Sequence, residues 1–291
     1  DYGISEVLIS CGGKHSLYNI AMAVLEKGDE AIVPVPYWVS YQEMIKLAGA
    51  KAVFCKTDER FNLNADDVKE KITPKTKMII LNSPNNPTGA VMDQSEIRKI
   101  AQIAVDNKIC IVSDEVYEFF VYGKQQNPSV ASLNNEIREL TITVNSVSKT
   151  YAMTGWRIGY CGAGREIINA MENFQSHSTS NPSSIAQMAA LEALSGPQDS
   201  VKQMVHAFDE RRRLIHKRLN EISGISCVEP QGAFYAFPDI SQTKMPSEEF
   251  ASRLLDEALV AVVPGIAFGS DSHVRLSYAT SIKEIERGMD R

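Results

Sequence analysis

The first two hundred residues alternate short apolar runs with segments of helical periodicity. The apolar runs lie at 31–33, 52–54, 78–81, 109–112, 142–144 and 158–161. A strand that is covered by helices on both faces is apolar throughout, because neither of its faces meets water. The alternation therefore predicts an α/β large domain, with a mainly parallel sheet covered by helices.

Helices are predicted in the intervals between these strands. Gly28 is expected to end the first helix, because glycine readily adopts the left-handed backbone that closes a helix. Further helices are predicted at 37–48, at 65–72 with Asn64 as N-cap, and after Asp93. The first helix has apolar residues at the spacing of one helix face, namely Leu17, Ile20, Ala21, Val24 and Leu25.

The pattern changes after residue 180, where the apolar runs become shorter. We expect a large domain over residues 1–205 and a smaller C-terminal α/β domain over 206–291, joined by a long helix at 200–220. The smaller domain is predicted to contain short strands at 225–228, 234–237, 259–263 and 274–277, a helix at 247–257 and a final helix.

Composition and charge narrow the classes of protein to which the chain could belong. It has 291 residues, of which 44% are hydrophobic, enough for one large core or for a core with a satellite domain. A net charge of −6 argues against nucleic acid as the main partner. No apolar run reaches the roughly 18 residues of a membrane span, so we expect no membrane partner. The chain does not begin with Met, which suggests a fragment or a processed product.

The cysteines and histidines are scattered along the chain, five of each. Neither Cys-x-x-Cys nor His-x-x-x-His occurs. We therefore expect reduced thiols in a cytoplasmic protein and no built-in metal site.

Polar side chains follow three of the predicted strands. Asn86, Asp114 and Lys149 each come shortly after an apolar run. In an open parallel sheet, the loops beyond the carboxyl ends of the strands converge on the ligand crevice. An amide, a carboxylate and an amine are thus predicted to meet at one edge of the sheet.

Lys149 lies in the run SVSKTYAMTGWRIGY, residues 146–160. A lysine can hold an aldehyde cofactor as a protonated imine, and a phosphorylated aldehyde also needs hydrogen-bond donors nearby. The run supplies such donors in Ser146 and Arg157. It resembles the cofactor-lysine signature of class I aminotransferases, which use pyridoxal 5'-phosphate.

The resemblance extends over nearly the whole chain and implies roles around the cofactor ring. By this resemblance, Asp114 faces the pyridine nitrogen and keeps it protonated. Tyr117 and Asn86, the latter in an Asn-Pro-Thr-Gly loop, hydrogen-bond the ring hydroxyl. Trp38 stacks on one face of the ring, and Val116 packs on the other.

The same resemblance implies a phosphate site and a substrate site. Five residues are expected to hold the phosphate: Gly13 and Lys14 at a helix N-terminus, together with Ser146, Ser148 and Arg157. Arg275, within the apolar strand at 274–277, is expected to bind the substrate α-carboxylate, with Asn86 and Trp38 beside it.

Several of these residues also have a purely structural interpretation. Asp114 could cap the next helix, and Asn86 could simply form a turn. Trp38 and Tyr117 could be ordinary core aromatics. Arg275 could belong to an internal ion pair.

The resemblance implies fold type I and an amino-group transfer in amino-acid metabolism, and it is strongest for bacterial-type aspartate aminotransferases. Aspartate as donor and a 2-oxo acid such as 2-oxoglutarate as acceptor are therefore expected, with aromatic, alanine or prephenate specificities as alternatives. Family members are homodimers with their sites at the subunit interface. They also have a substantial segment before the Gly-Gly loop, where this chain has about a dozen residues. An inactive truncated fragment is thus a further alternative.

Two other activities match fragments of the sequence. Ser146 and Lys149 fit the Ser-x-x-Lys pattern of penicillin-recognising serine acyl-transferases, but no Lys-Thr-Gly motif occurs. Gly162 and Gly164 partly match a dinucleotide-binding fingerprint, in which Ile167 occupies the place of the third glycine. A non-catalytic cofactor-binding domain is the remaining alternative, and no DNA-binding helical module supports it.

Overall fold

A seven-stranded sheet is the centre of the computed structural model, which describes all 291 residues. Its order is β1-β7-β6-β5-β4-β2-β3, in which β2 to β6 run parallel and β7 is antiparallel to β1 and β6. The predicted, mainly parallel sheet is confirmed. The strands are β1 (Val7–Ser10), β2 (Glu30–Val35), β3 (Lys51–Lys56), β4 (Thr76–Asn82), β5 (Cys110–Asp114), β6 (Thr141–Ser146) and β7 (Gly159–Gly162).

Helices cover both faces of this sheet. Along β4, Met78 and Ile80 pack in the cluster formed with the first two helices, whereas Ile79 and Leu81 pack in the cluster formed with the third and fourth. Both faces are thus buried, which explains the continuous apolar runs. The helices are α1 (Gly13–Val24), α2 (Ser40–Leu47), α3 (Ala65–Glu70), α4 (Gln94–Asn107), α5 (Asn135–Leu140), α6 (Val147–Thr150), α7 (Arg165–Ser176) and α8 (Ser184–Ser195).

The C-terminal part contains a long helix, a three-stranded antiparallel sheet in the order β8-β10-β9, and two further helices. None of the helices in the chain is both long and apolar enough to cross a bilayer. The elements are α9 (Asp199–Asn220), β8 (Tyr235–Ala236), α10 (Ser247–Ala258), β9 (Val263–Pro264), β10 (Val274–Ser277) and α11 (Ile282–Asp290).

An aromatic cluster joins the two parts. Tyr117 and Phe120, which follow β5, lie in one buried cluster with Phe208 of α9 and Phe234. The ring centroids of Phe120 and Phe208 are 5.4 Å apart, and those of Tyr117 and Phe234 are also 5.4 Å apart. The division into two domains at residue 205 stays a prediction. The aromatic cluster contains residues from both sides of that position.

Several predicted elements differ from the structure. The strand at 225–228 is wrong, since only Ser226 forms an isolated bridge there. The strand at 259–263 is wrong for most of its length, because Leu259 closes α10 in the left-handed conformation. Gly28 does not end α1, which stops at Val24, and instead lies in the turn before β2. The strand β1 and the helix α8 had no counterpart in the sequence prediction.

Neighbouring strands bring the candidate site residues to one edge of the sheet. Asn82 at the end of β4 pairs in register with Asp114 at the end of β5. Asp114 in turn pairs with Val144 on β6, two residues before that strand ends at Ser146. The side chains that follow these strands therefore share one crevice.

Candidate active site

One cleft, with a volume of about 320 Å³, lies over the carboxyl ends of these strands. It contains every residue that the sequence analysis assigned to a site. The lining includes Gly13, Lys14, Trp38, Asn86, Asp114, Val116, Tyr117, Ser146, Ser148, Lys149, Arg157 and Arg275. The side chains at positions 114 and 149, which follow different strands, thus face the same space.

Lys149 lies on the single turn α6, directly after β6. Ser146 caps this turn, its hydroxyl accepting a hydrogen bond from the backbone N–H of Ser148 at 3.1 Å. The Lys149 side chain is partly buried, and its Nζ forms no hydrogen bond and lies 5.7 Å from the Phe234 ring centroid. Burial, and then the positive charges of Arg275 and Arg157, lower the pKa of this amine. A larger fraction of neutral, nucleophilic amine results.

Asp114 is buried at the end of β5. Its Oδ2 accepts a hydrogen bond from the Tyr41 hydroxyl at 2.6 Å, and its Oδ1 accepts a longer one from the Val116 N–H at 3.3 Å. Burial raises the pKa of Asp114 to about 6, although both hydrogen bonds and Lys149 oppose the rise. No helix begins directly after Asp114, so the capping interpretation of this residue is wrong.

The N-terminus of α1 faces the same cleft. Gly12, in the left-handed region with φ 95°, turns the chain from β1 into α1, and the backbone N–H groups of Gly13 and Lys14 donate no hydrogen bond within the chain. The Arg157 guanidinium lies against Gly12, where a Cβ would overlap it, and donates to the Thr154 carbonyl at 2.7 Å. Unused backbone donors and a cation without an ion pair form a site suited to an anion.

Two hydroxyls complete this anion-binding group. Ser146 and Ser148 are buried, and their Oγ atoms are 2.8 Å apart. The Ser146 hydroxyl also contacts the Ile158 carbonyl at 2.8 Å, and no hydrogen bond joins it to Lys149. A serine nucleophile of an acyl-transferase needs a base within hydrogen-bond reach, so this geometry does not support the Ser-x-x-Lys alternative.

The walls of the cleft are aromatic and aliphatic. Trp38 is partly buried and packs edge-on against Tyr41, with ring centroids 5.4 Å apart, and Lys14 Nζ lies 5.0 Å from the Trp38 ring centroid. Tyr117 is buried, and its hydroxyl lies 2.8 Å from the hydroxyl of Tyr235. Val116 also lines the cleft. A flat aromatic ligand could thus find a large apolar surface and a phenol in one place.

Arg275 on β10 reaches the cleft from the C-terminal part. Its Nη1 donates to Asn86 Oδ1 at 2.8 Å, and its Cζ lies 4.6 Å and 4.9 Å from the ring centroids of Tyr235 and Phe268. It forms no ion pair, and its buried Nε has no hydrogen-bond partner. The internal ion-pair interpretation is therefore wrong, and an arginine with an unused donor is suited to a carboxylate ligand.

Five residues that line the cleft had no site role predicted from the sequence, namely Leu17, Tyr41, Asn82, Thr154 and Tyr235. Tyr41 contacts Asp114, Tyr235 contacts Tyr117, and Asn82 donates from Nδ2 to the Asp114 carbonyl at 3.0 Å. Asn82 also accepts the Asn86 N–H at 3.0 Å, which holds the Asn86 loop in place. Asn82 could have been found from the sequence, because it is a polar residue at the very end of a buried strand. Tyr41 and Tyr235 offered no such signal, because a tyrosine among apolar residues resembles any core aromatic.

Comparisons with known proteins agree over the whole chain. The family model described as aminotransferase class I and II matches residues 3–291. An aspartate aminotransferase of Bacillus sp. (strain YM-2) is 47% identical, and the match covers 100% of this chain and 76% of the relative. A probable aspartate/prephenate aminotransferase of Aquifex aeolicus (strain VF5) is 45% identical with the same coverage. The crystal structure of the aspartate aminotransferase from Rhizobium meliloti is similar, with a TM-score of 0.95 and 40% identity, over 99% of this chain and 76% of that one.

Proposed function

The chain belongs to the class I and II aminotransferases, and on that premise we propose that it transfers the amino group of aspartate to a 2-oxo acid such as 2-oxoglutarate. It is an aminotransferase, and we propose pyridoxal 5'-phosphate as its cofactor. The observation that supports the cofactor is the meeting of Lys149 and Asp114 in one cleft, between an anion-binding group and an arginine that lacks an ion pair. When bound, this cofactor supplies a protonated ring that withdraws electrons from the substrate Cα.

The residues of the cleft fit such a cofactor. Lys149 would hold its aldehyde, and Asp114 would face its ring nitrogen as a carboxylate. The N–H groups of Gly13 and Lys14, with Ser146, Ser148 and Arg157, would hold the phosphate. Trp38 and Val116 would cover the two faces of the ring, while Tyr117 and Asn86 would bind its hydroxyl.

Lys149 is the group that we propose moves the proton. Its amine has a lowered pKa and no competing hydrogen bond, and both favour acceptance of the proton of the substrate Cα. The partly buried position of Nζ keeps bulk water from exchanging that proton freely. Arg275 and Asn86 would orient the substrate through its α-carboxylate, so that Cα lies near Lys149.

Replacement of Arg275 by glutamine is expected to reduce kcat/KM for every amino donor by roughly 10- to 150-fold, the value of a lost charge-assisted hydrogen bond. Because all donors have the α-carboxylate, aspartate and alanine should be affected alike. Arg287→Gln, on an exposed part of α11, is the matched control. Stopped-flow half-reactions measure the effect, and a loss confined to aspartate would show that Arg275 binds the side chain instead.

Aspartate is the proposed donor because relatives named for it match the chain over its full length. Prephenate as acceptor is the second candidate, since a relative named for aspartate and prephenate is 45% identical with the same coverage. Aromatic and alanine specificities complete the alternatives.

A half-reaction screen tests the proposed function. The cofactor-loaded protein is mixed with single amino acids, and the absorption of the lysine-bound cofactor is followed. Aspartate should make this absorption disappear fastest, and subsequent addition of 2-oxoglutarate should restore it. Faster restoration by prephenate would favour the second candidate, and no discharge by any amino acid would contradict an active aminotransferase.

We also propose that two copies of the chain associate, as the family resemblance implies. The proposal is supported by a row of exposed apolar residues on α8, formed by Ile185, Met188, Leu191 and Leu194. Sedimentation velocity should give a species of twice the chain mass, and Met188→Glu should shift it towards the monomer.

The five unpaired cysteines support a cytoplasmic location.

A further inference from the structure

The contact between Tyr41 and Asp114 is a buried hydrogen bond that the proposed function leaves unexplained. The Tyr41 hydroxyl donates to Asp114 Oδ2 at 2.6 Å, a short distance typical of a donor facing an ionised acceptor. The relative exposures of the two residues are 3% and 4%. Tyr41 is on α2, and no other hydrogen bond of its hydroxyl competes with this one.

Few other groups act on the Asp114 carboxylate. Lys149 on α6 favours the ionised form, whereas Glu115, the next residue along the chain, disfavours it. The buried Tyr117 phenol is also close enough to respond to the charge of Asp114. The remaining hydrogen bond, from the Val116 N–H, is long. The Tyr41 hydroxyl is therefore the strongest single donor to this carboxylate.

We propose that Tyr41 is a positioning residue, which keeps Asp114 ionised and turns its Oδ1 towards the cleft before the cofactor binds. The inference rests on the proposed function, in which Asp114 pairs with a protonated ring nitrogen. A carboxylate buried without a donor would become neutral and could not stabilise that cation.

The phenol suits this role because it can only donate to a carboxylate. Burial, and then the negative charge of Asp114, raise the pKa of Tyr41 well above its usual value. The hydroxyl thus stays protonated throughout the physiological range. Oδ2 is engaged by Tyr41, whereas Oδ1 accepts only the long hydrogen bond from the Val116 N–H. Oδ1 is therefore the oxygen better able to accept a further hydrogen bond from a ligand in the cleft.

Tyr41→Phe removes this hydroxyl while keeping the ring, and Tyr37→Phe is its matched control. The Tyr37 hydroxyl donates to Gln42 Oε1, also at 2.6 Å, and Tyr37 does not line the cleft. The dissociation constant of pyridoxal 5'-phosphate is measured for the wild type and both variants between about pH 8.5 and about pH 5. Titration of the cofactor itself cancels in the ratio of variant to wild type.

For Tyr41→Phe, this ratio should increase by roughly 10-fold or more as the pH falls, because the variant binds a proton at Asp114 more readily. For Tyr37→Phe, the ratio should stay near one at every pH. A ratio for Tyr41→Phe that is constant with pH would overturn the proposal, since a residue that only packs would weaken binding uniformly.

A second measurement separates this inference from the proposed function. The carboxyl carbon of Asp114 is titrated by NMR in ¹³C-aspartate-labelled protein without cofactor, with Asp114→Asn used to assign the signal. Tyr41→Phe should raise the pKa of Asp114, and an unchanged pKa would overturn the proposal. If the wild type bound no cofactor at any pH, the proposed function would fail, while this titration would still decide the role of Tyr41.

Discussion

Replacement of Lys149 by alanine is expected to lower kcat for transamination by at least about 10⁴-fold. A positioned general base alone contributes about 10²- to 10⁴-fold, and the variant also loses the amine that would hold the cofactor. Arg157 and Arg275 cannot substitute for it, because their guanidinium groups do not give up a proton near neutral pH. The other amine that lines the cleft, Lys14, lies over the Trp38 ring at the N-terminus of α1. Steady-state turnover with aspartate measures the loss.

Lys149→Arg is the matched control for this variant. It keeps the positive charge and the length of the side chain but can neither attack an aldehyde nor act as a base. Both variants should fold. After borohydride reduction, the wild type should have the cofactor covalently attached to the peptide that contains position 149, and neither variant should. Activity within about 10-fold of the wild type in Lys149→Ala would assign the proton transfer to another group.

Replacement of Asp114 by asparagine should have two opposite effects. Turnover should fall by about 10²- to 10³-fold, since a preorganised charge at the reacting system is lost. The cofactor-free protein should become more stable at pH 8, because the folded wild type must then bury an ionised carboxylate. The raised pKa of Asp114 corresponds to a stabilisation of ~3 kcal/mol in the variant.

The sign of the pH dependence follows from that raised pKa. Burial raises the pKa of Asp114 from 3.8 to about 6, so the folded state prefers the protonated acid. The destabilisation of the wild type is complete above about pH 6 and disappears as the pH falls towards 3.8. Urea unfolding of both proteins at about pH 8 and about pH 4.5 should show the stability difference shrinking.

Asp93→Asn provides a contrast of opposite sign. Hydrogen bonds from Ser95 and Glu96 at the N-terminus of α4 lower the pKa of Asp93, so its contribution to stability is lost as the pH falls. Its substitution should not stabilise the protein at pH 8. A stability difference for Asp114→Asn that did not vary with pH would show that folding does not raise the pKa of Asp114.

Most of the site could be predicted because its residues follow predictable strands. Asn86, Asp114 and Lys149 each come after a continuous apolar run, and the carboxyl ends of parallel strands share one edge. The roles of the individual residues depended on the family resemblance. For Arg275, the sequence could not decide between an internal ion pair and binding of a ligand carboxylate. The side chains that surround Arg275 come from distant parts of the chain and are identified only by the structure.

Contacts between distant segments were beyond the reach of the sequence. Tyr41 and Asp114 are 73 positions apart, and the periodicity of α2 shows only that Tyr41 is buried. The short strands of the C-terminal part were equally difficult, since β8 and β9 have two residues each and give no alternation. Around residue 226, a single bridge replaced the predicted strand.

The aromatic cluster across the two parts of the chain limits where the gene could be recombined. A chimaera that joined residues 1–205 to the C-terminal portion of a relative would place a foreign surface against Tyr117 and Phe120. Their ring contacts with Phe208 and Phe234 span the junction, so a donor with different side chains at those places would leave gaps or clashes. A chimaera in which all four aromatic residues come from the same parent would keep these ring contacts.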